Sequence, residues 1–147
     1  MNSKIKALLS KSIESKLLQA ARKVQKNSYS PYSGYKVASA ILFEKNKVFA
    51  GINVENASYG ATNCAERTAI FSAVASGFSK IKAVLVLTDK GWPPCGLCRQ
   101  VISEFAQPNT IVLIANKSGI QERVLFSDLL PSSFKKNVRV TTADTEQ

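Results

Sequence analysis

Three cysteines and no histidine constrain this chain more than anything else in it. Cys64 is followed at once by Ala65 and Glu66, and a later pair sits in the run Pro93-Pro94-Cys95-Gly96-Leu97-Cys98. A Cys-x-x-Cys pair by itself reads as a redox dithiol or as part of a metal site. The third cysteine favours metal, because a fold that brings Cys64 beside the pair assembles three thiolate donors of the kind zinc takes. A closed structural zinc site wants four Cys or His ligands, and this chain has three cysteines and nothing further of that type. An open fourth position is what catalytic zinc requires. The competing readings are a structural zinc knot, with a carboxylate or another subunit completing it, and a redox dithiol. The lack of histidine also removes Ser-His-Asp triads, Cys-His nucleophiles and His-Glu-x-x-His proteases.

Cys64 and Cys98 are expected at the starts of two helices, where unsatisfied N–H groups and the positive end of the helix dipole favour thiolate over thiol. Glu66, about half a helical turn beyond Cys64, can then face the same cavity without being a ligand. Three thiolates on Zn²⁺ leave a local negative charge that something must offset. Arg67, one turn from Cys64, is the expected compensating group, with Arg99 beside Cys98 the weaker candidate; each could also be an ordinary surface arginine.

The remaining chain is read from its periodicity. Apolar residues from Ile5 through Leu8, Leu9, Ile13, Leu17, Ala20, Ala21 and Val24 fall at helical spacing, with Ser12 a polar exception, and predict an amphipathic helix over about 4–25, laid on a sheet. The breaker-rich run Asn27 to Gly34 is a loop. Tyr35 to Phe43 and Lys47 to Val54 predict an antiparallel hairpin, and a polar loop from Glu55 leads to Cys64. A second helix is expected from Cys64 to Ser76, with Ile70, Ala73 and Val74 on its apolar face. Ile81 to Leu87 is a buried strand, Thr88 to Pro94 a loop, and Cys98 to Phe105 a short helix with Val101, Ile102 and Phe105 inward. Thr110 to Ala115 and Arg123 to Phe126 follow as strands joined by a turn at Asn116 to Gln121, too short for a parallel crossover and so antiparallel. Ser127 is the expected cap of a last short helix that Pro131 ends. Past Phe134 the tail is polar and expected to be loose. The fold class is α/β: a single mixed sheet of about five strands sandwiched between helices, one domain over 1–147.

Charge raises one other class of function. The chain carries a formal net charge of +10. Residues 1–26 hold seven Lys or Arg against the single Glu14, a net of +6, so most of the excess is one terminal helix. Its lysines read as a solvated face, because aromatic residues are not interleaved with them as single-strand binders require. No specific nucleic acid is expected as a partner. No run approaches the roughly 18 apolar residues of a membrane span, so no membrane association is expected, and reduced thiols make the cytoplasm the expected compartment.

The pattern Cys64-Ala65-Glu66 with Pro94-Cys95-Gly96-Leu97-Cys98 fits the zinc-deaminase signature, in which a glutamate that is not a ligand works beside the metal. Four further stretches narrow it. Ser30-Pro31-Tyr32-Ser33, Asn53-Val54-Glu55-Asn56-Ala57-Ser58-Tyr59, the extended cysteine motifs through Ala69 and Gln100, and Leu129-Leu130-Pro131-Ser132-Ser133-Phe134 together resemble the small homotetrameric cytidine deaminases of pyrimidine salvage, from about Ser28 to Phe134. The resemblance implies a three-layer α/β/α fold and one zinc per subunit on Cys64, Cys95 and Cys98. Glu66 is implied as the catalytic acid and base in hydrolysis of cytidine and 2'-deoxycytidine to the uridine compounds and ammonia. Asn53 and Glu55 are implied to hold the ribose hydroxyls, with Val54, Asn56, Ala57, Ser58, Tyr59 and Ala65 shaping the pocket. Phe134 is implied to reach a neighbouring subunit's site in a homotetramer. The family usually has Phe, stacking on the pyrimidine, where Tyr35 stands. The Tyr35 to Ala40 segment is more similar to blasticidin-S deaminases, so a broader cytosine-nucleoside-analogue deaminase is the alternative. A basic zinc-stabilised nucleic-acid binding domain is the alternative of another class.

Overall fold

A computed structural model describes residues 9–136, in the order α1 (Lys11–Gln25), β1 (Ala38–Phe43), β2 (Val48–Ile52), α2 (Ala65–Ala75), β3 (Ile81–Leu87), α3 (Gly96–Phe105), β4 (Ala106–Asn116), β5 (Gly119–Leu125) and α4 (Phe126–Leu129). The helical positions expected at Ile5 and Leu8, and the tail past Lys136, lie outside the described residues. Ser10 caps α1, its hydroxyl accepting from the Ile13 N–H at 3.3 Å. Among the described residues no helix is long and apolar enough to cross a membrane.

The strands form one mixed sheet in the order β2-β1-β3-β4-β5. β1 pairs antiparallel with both β2 and β3, and β4 antiparallel with β5; β3 and β4 are parallel, with α3 in the crossover between them. Side chains alternate across this sheet and divide the core in two. Ala38, Ala40 and Leu42 of β1, Ala83, Leu85 and Leu87 of β3, and Ile111, Leu113 and Ala115 of β4 pack with Leu17 and Ala21 of α1. Their neighbours Ile41, Phe43, Val84, Val86, Val112 and Ile114 face the other way, against Ala69, Ile70 and Ala73 of α2, Ile102 of α3 and Phe126 of α4. Ser39, the second residue of β1, is fully buried and donates its hydroxyl to the Leu85 carbonyl at 2.8 Å, so this polar residue is satisfied inside the core.

Several boundaries differ from the sequence expectation for identifiable reasons. β5 begins at Gly119, because the turn is only Lys117-Ser118: Asn116 Oδ1 accepts from the Ser118 N–H at 2.8 Å and Gly119 takes φ +125°. As an edge strand it needs no continuous apolar run, which hid it behind the exposed Gln121 and Glu122. β4 starts at Ala106, with an irregularity that lets Ile81 pair with Ala106 and Ala83 with Ile111. Ser127 does not cap α4; the helix starts at Phe126, whose ring is buried, and has no side-chain cap. Val74 is exposed rather than on the buried face of α2, because that face is centred on Ala65, Ala69 and Ala73.

Glu14 is not part of a solvated face. It is 7% exposed and accepts two hydrogen bonds from the Arg123 guanidinium on β5, at 2.6 and 2.8 Å, fastening α1 to the sheet. Arg123 holds the Glu14 carboxyl below the usual carboxylate range despite its burial. Stability from this pair is therefore present above the unfolded-state carboxyl pKa and is lost as pH falls through the lowered one. Arg123→Met leaves the buried carboxylate with only the exposed Lys11, 3.5 Å from its Oε2, and is expected to cost roughly 3 kcal/mol at pH 7. In urea unfolding the gap between this variant and the parent should narrow steadily below about pH 4, since protonation then weakens the parent and relieves the variant.

Candidate active site

The site is built where α2 and α3 begin. Cys64 is the N-cap of α2 and Cys95 that of α3, both with extended backbone, and their carbonyls accept the opening helical bonds from Thr68 and Arg99 N–H. This corrects the expectation for the second helix: Cys95, not Cys98, stands at its start. Pro93 and Pro94 keep the chain extended up to Cys95, so the helix turns immediately after it and carries the buried Cys98 into the first turn. The three sulfurs lie within 4.8 Å of one another, with Cys64 and Cys95 Sγ at 3.8 Å.

α2 is brought to this position by a glycine in the interior of β2. A Cβ on Gly51 would lie 2.4 Å from the Ala65 carbonyl oxygen and 2.5 Å from the Ala69 nitrogen, so strand and helix are in backbone contact. The Thr68 hydroxyl adds a tie, 2.9 Å from the Ile52 carbonyl, and accepts from Asn63 Nδ2 at 3.1 Å. Sequence reasoning overlooked Gly51, although a glycine inside an otherwise β-forming run is itself a sign of close backbone approach.

Crowding governs the electrostatics. A hydrogen bond from the Cys98 thiol and the charge of Arg67 hold the Cys64 thiol down to about 5, while Cys64 and burial drive Cys98 upward. Three adjacent sulfurs cannot all ionise without a cation among them. A tetrahedral zinc ion with bonds of about 2.3 Å separates its sulfurs by about 3.8 Å, which the Cys64 to Cys95 distance matches. Among the described residues no other His, Cys, Asp or Glu group joins the cluster, so the donor set fits zinc with one position left over. Arg67 Nη2 lies 3.3 Å from Cys64 Sγ and donates to the Thr62 carbonyl at 3.1 Å; its Nε is buried with no partner. Arg99 is engaged elsewhere, donating to the Pro94 carbonyl at 2.8 Å and the Leu129 carbonyl at 2.9 Å.

Glu66 is 3% exposed, and burial pushes its carboxyl up to about 7, with the Cys64 charge acting in the same direction. A cavity of 170 Å³ opens beside it, lined by Asn53, Cys64, Ala65, Glu66, Trp92 and Cys95 among others. Thr62 lines both this cavity and an adjoining one of 400 Å³ that contains Tyr32, Ser33, Glu55 and Tyr59.

The loops around these cavities are cross-tied. Val54 pairs its backbone with Asn63, while Tyr29 bonds the Asn53 carbonyl and the Glu55 N–H. Asn53 Oδ1 accepts from the Val37 N–H at 3.0 Å and from the Ser28 hydroxyl, and Nδ2 donates to the Tyr35 carbonyl at 2.8 Å. The Glu55 carboxylate accepts from the Tyr32 and Ser33 N–H groups at 2.9 and 3.1 Å and from the Ser33 hydroxyl. Asn56 Oδ1 accepts from the Ser58 N–H at 2.8 Å, an Asx turn. Tyr59 packs edge-on against Tyr32. Val54, Asn56, Ala57 and Ser58 are exposed and do not line the Glu66 cavity; Tyr35 borders it through Trp92. Phe134 is 74% exposed and stands apart, its carbonyl accepting from Gln100 Nε2 at 3.0 Å. Trp92 was missed from sequence, although the chain's one tryptophan, set in a loop three residues ahead of Cys95, was a usable signal.

Comparison with known proteins places this geometry. A family model described as the cytidine and deoxycytidylate deaminase zinc-binding region matches residues 11–114. The chain is 42% identical over 123 residues to a cytidine deaminase of Sporosarcina psychrophila, covering 82% of this chain and 90% of that one. It is also 42% identical over 120 residues to a cytidine deaminase of Halalkalibacterium halodurans, covering 80% and 91%. The crystal structure of cytidine deaminase from Burkholderia pseudomallei superimposes with a TM-score of 0.78 at 41% identity, covering 86% of this chain and all of that one.

The Gly51 contact is testable without reference to activity. Gly51→Ala forces β2 and α2 apart and is expected to cost about 1–3 kcal/mol in urea unfolding. Zinc retained after dialysis should fall below that of the parent protein. Gly60→Ala, where a Cβ meets nothing within 4 Å, serves as the control and should leave both readings unchanged.

Proposed function

The chain belongs to the cytidine and deoxycytidylate deaminase zinc-binding family, and from that membership we propose that it hydrolyses cytidine and 2'-deoxycytidine to uridine and 2'-deoxyuridine with release of ammonia, a reaction of pyrimidine salvage. The observation that carries this reading is the buried Glu66 carboxyl sharing one cavity with Cys64 and Cys95, two members of a three-sulfur cluster. Redox dithiol chemistry would need no buried carboxyl there, and a closed structural zinc knot would need a fourth donor.

A zinc ion held by Cys64, Cys95 and Cys98 supplies Lewis acidity that makes water a competent nucleophile near neutral pH. The protein's part is to bind, orient and move protons. Glu66 accepts one proton from the attacking water and delivers it to N3 of the pyrimidine; it then takes the remaining proton of the new C4 hydroxyl and passes it to the amine, which leaves as ammonia as the C4 carbonyl forms. Burial suits it to both directions, since a carboxyl raised toward neutrality gives up and takes back a proton with little penalty. Arg67, against Cys64 Sγ, offsets the excess negative charge of three thiolates. The Ala65 backbone lies on the cavity wall and is suited to reading the base edge.

Asn53 and Glu55 bind the ribose hydroxyls, and the loop from Val54 through Asn56, Ala57 and Ser58 to Tyr59 shapes the sugar end of the pocket. Supporting this, Asn53 and Glu55 are both buried at the wall of the two adjoining cavities. Tyr35 contributes an aromatic surface toward the base. The enzyme works as a cytoplasmic homotetramer of single-domain subunits, each with one zinc, in which Phe134 completes a neighbour's site. The exposure of Phe134, far above what a core anchor would show, fits that role.

Glu66→Gln is expected to keep its zinc and fold but to lose at least about a thousandfold in kcat, because amide nitrogen cannot carry the proton. Near-normal release of ammonia from cytidine by that variant would remove Glu66 from the reaction. In a spectrophotometric assay of cytidine turnover, chelation of zinc should abolish the activity of the parent protein, and restoring zinc should return it.

A further inference from the structure

We propose that Trp92 is a substrate-binding residue of this enzyme, forming with Tyr35 an aromatic wall that receives the pyrimidine ring; the inference rests on the deaminase reading and deepens it. Trp92 lies on the loop between β3 and α3, three residues before Cys95, and lines the cavity that holds Glu66 and Cys64. Its indole packs against the Tyr35 ring with centroids 5.1 Å apart and planes at 73°, an edge-to-face arrangement. The two rings are 45% and 52% exposed, so each keeps much of its surface free of protein, and neither belongs to either half of the core.

The loop holds this indole deliberately in place. Thr88, itself buried, accepts at Oγ1 from the Gly91 N–H at 2.8 Å and the Trp92 N–H at 2.9 Å. Gly91 takes φ +76°, a conformation that costs glycine nothing, and this turns the chain so that Trp92 follows at the cavity. A large apolar ring fixed by its backbone at a cavity mouth, yet half in solvent, is a surface prepared for a flat apolar ligand face. Packed edge to face, Tyr35 and Trp92 together offer a broader surface than either ring alone.

Stacking on a base contributes affinity in ground and transition states alike, so its loss belongs in KM rather than kcat. Trp92→Ala is expected to raise the KM for cytidine about tenfold, with kcat changed by less than about threefold. Zinc should stay at the parent level, which separates the effect from disturbance of Cys95. Trp92→Phe, which keeps an aromatic face, should return KM to within about threefold of the parent. Because Trp92 is the one tryptophan in the chain, its emission should also fall saturably as uridine, the product, is added to the parent enzyme. Turnover of cytidine by the parent with an unchanged KM in Trp92→Ala overturns the inference alone. So does a kcat loss that tracks zinc loss, which would make the loop a support for Cys95 only. Absence of turnover by the zinc-loaded parent would overturn the deaminase reading and this inference together.

Discussion

Everything in the site depends on how closely one helix can lie against one strand. Where β2 passes under α2 there is room for a hydrogen atom and no more, and Gly51 supplies it. That contact sets the height of α2 above the sheet and with it the positions of Cys64, Glu66 and Arg67, which all belong to the helix cap and first turn. Ala65, Ala69 and Ala73 continue the theme along the helix, small residues that let the backbone approach the sheet while Ile70 fills the space beside them.

Once α2 and α3 are so placed, the chemistry follows from crowding. Sulfurs brought within 4.8 Å repel one another as thiolates, and the protein tempers this with Arg67 and with two helix N-termini rather than with further ligands. Glu66 is excluded from water by the same packing, which separates its role from that of the sulfurs. A divalent ion held by Cys64, Cys95 and Cys98 would relieve the charge problem, and Glu66 lines the same cavity as two of those sulfurs. Donor set and buried acid are thus two products of a single arrangement of helix ends.

Much of this was readable in the residues. Near-continuous apolar runs within Tyr35 to Phe43 and from Ile81 to Leu87 found the central strands, because burial on both faces leaves a strong apolar signal; β1 itself starts only at Ala38. The edge strand β5 was underestimated for the opposite reason, since its solvated side carries Gln121 and Glu122. Cys95 rather than Cys98 begins α3, a detail set by where two prolines release the chain. Glu14 appeared to be one acid among lysines, and only tertiary structure could pair it with Arg123, 109 positions away. The cysteine motifs were legible because they are local; Trp92 and Gly51 were not, because what matters at each is the distance to another segment.

The loop ahead of α2 carries a last consequence. Glu55 has no idle carboxylate oxygen: the Tyr32 and Ser33 N–H groups donate to Oε2 and the Ser33 hydroxyl to Oε1. Asn53 is likewise committed at both ends of its amide. If, as proposed, these two residues receive the ribose, recognition and architecture share the same atoms, and a sugar hydroxyl arriving at either one joins or replaces an internal partner instead of meeting a bare one. Damage at these positions would spread into the neighbouring turns, so a weakened variant at either one reports on the scaffold and on the guest at once.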